Sequence, residues 1–121
     1  MKTEGGAQRL RVYIDENDQW HNKPLYAALV ERCRTAGIAG ATVVRGIEGY
    51  GAHGRVHTAR ILQLGEALPI VVEIIDAAER VQSFLPILDE MLAEGLVTVE
   101  EVRSVVYRTG DGAGRMVESA R

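Results

Sequence analysis

The residues best suited to chemistry lie together in the segment Gly46–Arg60, which reads GIEGYGAHGRVHTAR. It holds four glycines, two histidines and two arginines in fifteen residues. Glycines let a backbone approach a ligand closely and present N–H groups to an anion, while arginines supply the matching charge. The segment matches neither a P-loop nor a dinucleotide-binding fingerprint, so local evidence alone favours a glycine-rich connection between strands.

His53 and His57 offer a second kind of chemistry within this segment. Four residues apart on a helix, both imidazoles would share one face, as metal ligands require. In a loop the spacing does not bring them together, and Glu48 is the one other ligand type nearby. Exposed loop histidines are therefore the favoured interpretation, and metal binding is the alternative.

Catalytic patterns are poor in this sequence. Serine occurs only at positions 83, 104 and 119, without a nucleophile elbow or an evident histidine partner. The adjacent Glu100 and Glu101 fall on a predicted strand, where neighbouring side chains point to opposite faces. The sequence predicts no enzyme.

Four strands and two helices must position these residues. Leu10, Val12 and Ile14 alternate with polar residues in the first strand, and GATVVRG, PIVVEIID and LVTVEEVRSVVY form the others, the last with a possible bend near Glu100. Asn22 and Pro24 mark the start of the first helix, and Asp76 with Glu79 makes a cap pair for the second. Pro86 should kink that second helix before Gly95 ends it.

The element order βαββαβ is that of the ferredoxin-like fold, an α+β sandwich in which two helices cover one face of an antiparallel sheet. We expect residues 1–107 to form one such domain and residues 108–121 a glycine-rich C-terminal tail. Val71 and Ile75 fall on the uncovered face of the third strand. An apolar face of that kind predicts oligomerisation through the sheet.

Composition narrows the class of partner and the compartment. The chain has 121 residues, a net charge of −3 and a pI near 5.6. It therefore lacks the basic footprint of a nucleic-acid-binding protein. Its single cysteine, Cys33, suits a reducing compartment and belongs to an apolar helix stripe. The N-terminus has no apolar signal core and no run is long enough to span a membrane, so we expect a cytoplasmic protein that is not membrane-embedded.

Three stretches carry a resemblance to a known family: NKPLYAALVERCRTAGIAGATVVRGIEGYGAHGRVHTARILQL, LPIVVEIID and FLPILDEML. Over about residues 7–107 the chain resembles a bacterial family of small, uncharacterised PII-like proteins. More distantly, it resembles the nitrogen-regulatory PII signalling proteins. Those are trimers of ferredoxin-like subunits that bind ATP or ADP between subunits, and a long loop contacts a target protein. The resemblance implies a homotrimer, an adenine nucleotide (ATP, ADP or AMP) and a protein target that contacts Gly46–Arg60.

The resemblance also implies binding residues. AGIAGATV is similar to the segment with which PII proteins hold adenine, and GYG to the base of their mobile loop. RTG looks like the end of their last strand, where an arginine reaches phosphates across the subunit boundary. The implied ligand residues are Gly40, Ala41, Thr42, Gly49, Gly51 and Arg108.

The phosphate-binding loop departs from the PII pattern. AEGLVTVEEV replaces the lysine-rich loop of those proteins and carries three glutamates and no lysine. We expect this change to weaken a triphosphate more than a monophosphate, because charge-assisted hydrogen bonds hold phosphate oxygens.

Two alternatives stand beside the nucleotide-sensing regulator. One is a metal-binding trimer that resembles the copper-tolerance proteins and uses His53 and His57. The other is an adaptor that binds a protein partner and no small ligand.

Overall fold

The computed structural model describes residues 1–51, 53–58 and 67–109. Its elements in chain order are β1 (Lys2–Asp15), β2 (Gln19–Trp20), β3 (Lys23–Pro24), α1 (Leu25–Thr35), β4 (Ala41–Arg45), β5 (Glu48–Gly49), β6 (His57–Thr58), β7 (Pro69–Asp76), α2 (Ala78–Met91) and β8 (Leu96–Tyr107). Arg60 and most of the predicted tail lie outside the described residues. The boundary predicted at residue 107 therefore stays a prediction.

Four strands form one antiparallel sheet in the order β4-β7-β1-β8. This order confirms the predicted ferredoxin-like fold of class α+β. The two-residue strands add two small hairpins, β2–β3 and β5–β6, which the sequence did not predict. Such short ladders contain too few residues for a hydrophobic period to appear.

The core lies between the sheet and both helices. Leu10, Val12 and Ile74 of the central strands are each at most 2% exposed, and they pack with apolar residues of α1 and α2. Cys33 belongs to this core, and burial raises the pKa of its thiol to about 11. The thiol is therefore protonated at neutral pH, which agrees with the predicted packing role.

The helix starts differ from the predicted caps. Pro24 precedes α1 directly, and no side chain caps the helix. Asn22 lies in the β2–β3 turn with a φ of 67°, so it belongs to the hairpin and not to the helix start. Helix α2 also lacks a side-chain cap bond at its N-cap residue, Ala77. The cap predictions were wrong because the same polar residues serve turns and tertiary contacts.

Asp76 has a larger structural role than a helix cap. Its carboxylate is fully buried and accepts hydrogen bonds from Ala77 N (2.7 Å) and Arg80 Nη1 (2.9 Å). Its Oδ2 also accepts from the backbone N–H of Ala39 at 2.9 Å. Asp76 thereby connects the start of α2 to the loop that leads into β4.

Helix α2 and strand β8 are more continuous than the sequence suggested. Pro86 lies inside α2, which runs as one helix from Ala78 to Met91, so the helix ends before Gly95. Strand β8 pairs with β1 without interruption past Glu100. No helix of the described residues is long and apolar enough to cross a membrane.

The sheet face opposite the helices combines one apolar row with an ionic network. Val44, Val71, Tyr13 and Leu96 are successive cross-strand partners from one edge of the sheet to the other. Leu96 is 58% exposed and Val44 is 52% exposed. We call this set the apolar row. The apolar row is therefore an exposed apolar strip on the sheet face opposite the helices.

The ionic network lies beside the apolar row. Arg11 donates to Glu73 at 2.8 Å, and Arg9 donates to Glu100 at 2.9 Å. The hydrogen bond to Glu73 raises the pKa of Arg11. Glu101 bonds Gln8 instead, so the two neighbouring glutamates point to opposite faces, as the strand period predicts.

Candidate functional site

A cleft of about 410 Å³ opens at one end of the sheet. The end of β1, the hairpin β5–β6 and the turn before β8 form its walls. Its lining residues are Tyr13, Ile14, Asp15, Asp18, Gly49, Tyr50, Gly51, His53, Arg55, His57, Pro69, Ile70, Glu94, Gly95 and Leu96. Half of the described residues of Gly46–Arg60 therefore line this concave surface.

Close packing against Pro69 explains two of the glycines. A methyl group at Gly46 would lie 3.0 Å from Pro69 Cγ, and one at Gly49 would lie 3.1 Å from the same atom. Gly46 N also donates to Pro69 O at 2.7 Å. These contacts fix the base of the hairpin against β7, so the two glycines provide close approach between backbone and ring.

Gly54 has a different function in the hairpin. Its φ is +70°, and its N–H donates to Gly51 O at 2.9 Å. Glycine adopts this left-handed conformation without the steric penalty that a side chain brings. The turn at Gly54 directs His53 and Arg55 toward the cleft that both line.

We expect Gly46→Ala to lower the free energy of unfolding by about 1–2 kcal/mol, the usual cost of forcing an extra carbon into a packed contact. Gly51→Ala is the matched control, because no atom of the described residues other than its chain neighbours lies within 4 Å of a methyl group at that position. Urea unfolding of both variants measures the difference. Equal stabilities would contradict the packing explanation.

His53 and Glu94 connect the hairpin to the turn before β8. His53 Nε2 lies 3.1 Å from Glu94 Oε1, and both side chains are largely exposed. His57 lines the same cleft. The described residues nevertheless contain no group of three or more His, Cys, Asp or Glu side chains placed to hold a metal ion. The contact observed at His53 is therefore an exposed pair with a carboxylate.

Acidic residues from β1 and the turn after it also line the cleft. Asp18 Oδ2 accepts a hydrogen bond from Asp15 N at 2.9 Å. The Oδ1 atom of Asp15 is buried and receives no hydrogen bond from any residue that the structure describes. The sequence analysis did not identify Asp15 or Asp18 as site residues, because polar residues in turns carry no pattern that distinguishes a ligand site from a solvated surface. Glu94 belongs to the segment AEGLVTVEEV, which the sequence analysis compared with a phosphate-binding loop.

The six implied ligand residues fall into three separate groups in one chain. Gly49 and Gly51 line the cleft. Ala41 and Thr42 begin β4 and pair with Ile74 and Glu73, toward the other end of β7 from the cleft. Gly40 immediately precedes them.

Arg108 forms the third group, beyond the far end of β8. Its N–H donates to Met1 O at 3.0 Å, and Met1 N donates to Arg108 O at 2.9 Å. Strand β8 begins at the cleft with Leu96, and its 12 residues extend about 36 Å at the usual strand rise. Arg108 therefore does not reach the cleft of its own chain.

The chain belongs to the DUF190 family (Uncharacterized ACR, COG1993), which matches residues 7–104. A UPF0166 protein of Aquifex aeolicus is 40% identical over 100 residues, covering 81% of this chain and 91% of that protein. A UPF0166 protein of Methanocaldococcus jannaschii is 33% identical over 96 residues, covering 78% of this chain and 88% of that protein. These relatives confirm the resemblance to an uncharacterised family.

A solved structure is similar over most of the chain. CPII from Thiomonas intermedia, a nitrogen regulatory PII-like protein bound to ADP, AMP and bicarbonate, aligns with a TM-score of 0.55 and 20% identity. The alignment covers 84% of this chain and 91% of CPII. At this identity the similarity establishes the PII-like fold.

Proposed function

We propose that this protein is a PII-like regulator that binds an adenine nucleotide in clefts between identical subunits of a trimer. The separation of the implied ligand residues carries the proposal. Gly49 and Gly51 line the cleft, whereas Thr42 and Arg108 lie at places from which they cannot reach it. Only a neighbouring copy can bring such residues to the same ligand, so the site is complete only in the assembly.

The cleft offers suitable contacts for a nucleotide. Tyr13 and Tyr50 supply aromatic surface for a base, and Tyr50 is 73% exposed. Arg55 and the two histidines supply hydrogen-bond donors for an anion. CPII, which shares the fold, binds ADP, AMP and bicarbonate. These three molecules are therefore the first ligands to titrate.

The hairpin β5–β6 is the proposed output element. It lies on the cleft through His53 and His57, and it belongs to the segment Gly46–Arg60. A ligand that contacts one arrangement of this hairpin better than another shifts the population toward that arrangement. A target protein that contacts the hairpin then detects whether the cleft is occupied.

The apolar row is the proposed contact between copies. Leu96→Glu places a charge at the β8 end of this row, and because Leu96 is 58% exposed in the single chain the fold should tolerate it. We expect the variant to dissociate at micromolar concentrations, where the parent protein is a trimer. Size-exclusion chromatography with light scattering measures the mass.

Ser83→Glu is the matched control, because it introduces the same side chain on the exposed surface of α2. We expect this variant to keep the mass of the parent protein. A Leu96→Glu protein that retains the parent mass would exclude the apolar row as the contact.

Calorimetric titration of the parent protein with AMP, ADP and bicarbonate tests the binding proposal itself. We expect saturable binding of an adenine nucleotide, with one site per chain. Absence of binding by every adenine nucleotide tested would contradict the proposed function.

A further inference from the structure

We infer that the cleft selects adenine nucleotides with few phosphates, so that AMP binds more tightly than ATP. This inference rests on the proposed function and specifies the ligand class of the same site. It follows from the charges on the lining residues. These charges have the wrong sign for a polyphosphate.

The lining residues that the structure describes carry more negative than positive charge. Asp15, Asp18 and Glu94 are carboxylates, and Arg55 is the one lining residue with a permanent positive charge among them. His53 and His57 also line the cleft, and neither side chain carries a permanent charge. The cleft of one chain is therefore net negative.

Neighbouring groups do little to neutralise the carboxylates. Asp18 Oδ2 accepts a hydrogen bond from the backbone N–H of Asp15, and the buried Oδ1 of Asp15 receives no hydrogen bond from any described residue. Glu94 pairs with His53, whose charge depends on protonation. The negative potential of these groups consequently acts on any ligand in the cleft.

Each additional phosphate brings more charge of the same sign. At pH 7.5 AMP carries about two negative charges and ATP about four, because the terminal phosphate is nearly fully ionised. Charges a few ångströms apart interact strongly where protein replaces water. Under the proposed function Arg108 of a neighbouring copy adds one positive charge to the site, and each further phosphate adds negative charge beside the three lining carboxylates.

Titration calorimetry with AMP, ADP and ATP at pH 7.5, without divalent metal, tests this inference. We expect AMP to bind at least about tenfold more tightly than ATP, with ADP between them. Raising the NaCl concentration from about 50 to 300 mM should lower the ratio of AMP affinity to ATP affinity, because salt screens the repulsion between the outer phosphates and the carboxylates. A site with a cationic phosphate cradle would instead lose affinity for ATP as the NaCl concentration rises, and that result would contradict the inference.

Two variants test whether the carboxylates that line the cleft cause the preference for AMP over ATP. Glu94→Gln removes one negative charge with little change of size, and we expect it to reduce the AMP-to-ATP affinity ratio by at least about threefold. Asp89→Asn makes the same charge change on the exposed surface of α2, away from the lining residues, and should leave the ratio unchanged.

The outcomes separate the two proposals. ATP binding as tightly as AMP, or a ratio unaffected by Glu94→Gln, would overturn the selectivity while leaving a nucleotide-binding protein. Failure of all three nucleotides to bind would overturn the proposed function and this inference with it.

Discussion

Replacing Asp76 by alanine is expected to lower the free energy of unfolding by about 3 kcal/mol. The carboxylate is fully buried and accepts hydrogen bonds from two backbone N–H groups and from Arg80. Its removal leaves these donors without an acceptor in the interior, and each such group typically costs about 1–3 kcal/mol. Arg80 is 37% exposed and can turn toward water, so its share of the loss is small.

Urea denaturation followed by circular dichroism measures this loss. Asp89→Ala is the matched control, since Asp89 is exposed on the same helix, and we expect its effect to stay within about 0.5 kcal/mol. Asp76→Asn keeps the shape and one acceptor oxygen, so it should fall between the two and remain measurable if the alanine variant does not fold. An alanine variant within 1 kcal/mol of the parent protein would disprove this account of the carboxylate.

The second large effect is expected from Arg108→Ala, which should weaken nucleotide binding by about 10- to 100-fold. A hydrogen bond to a charged group contributes about 1.5–3 kcal/mol, which corresponds to that range. The variant should assemble like the parent protein, because Arg108 follows the last residue of β8 and is not part of the apolar row. Calorimetry with AMP measures the affinity.

Mixed assemblies distinguish a residue that acts across the subunit boundary from one that acts within its own chain. Arg108→Ala and Tyr50→Ala each remove one half of the proposed site, so either variant alone should bind weakly. When the two variants are co-assembled, some sites should combine the intact cleft of an Arg108→Ala chain with Arg108 of a Tyr50→Ala chain. These sites should bind the nucleotide tightly. If co-assembly recovers no tight nucleotide site, Arg108 does not act across the subunit boundary.

Periodicity predicted the fold well because the core depends on it. Leu10, Val12 and Ile14 alternate in β1, and all three are buried. Ile70, Val72 and Ile74 do the same in β7. The alternating hydrophobic residues determine which face of each strand the helices cover. The order of strands and helices along the chain is then compatible with few topologies.

Local patterns failed where a residue serves a distant partner. Asp76 resembles a helix cap in sequence, but its Oδ2 binds Ala39, 37 residues away. Strand β1 begins at Lys2, before the alternating segment, because it pairs with the end of β8. Gly5 and Gly6 in that extension give no strand signal of their own.

The candidate site was only half visible in the sequence. The glycine-rich segment alone favoured a connection between strands, and the resemblance of GYG to PII proteins implied Gly49 and Gly51, which do line the cleft. The acidic wall formed by Asp15, Asp18 and Glu94 arises from the meeting of two distant turns, which no spacing along the chain encodes. The sequence already predicted weaker binding of a triphosphate from the segment AEGLVTVEEV, and the structure adds that Asp15 and Asp18 line the same cleft as Glu94 of that segment.

Native mass spectrometry of the purified protein, alone and then with AMP, tests the central proposal most directly. We expect a three-copy assembly that takes up AMP in steps to a maximum of three. A monomer would contradict the site between copies, because the cleft of one chain lacks Thr42 and Arg108. A trimer that takes up neither AMP nor any other adenine nucleotide would contradict nucleotide sensing itself.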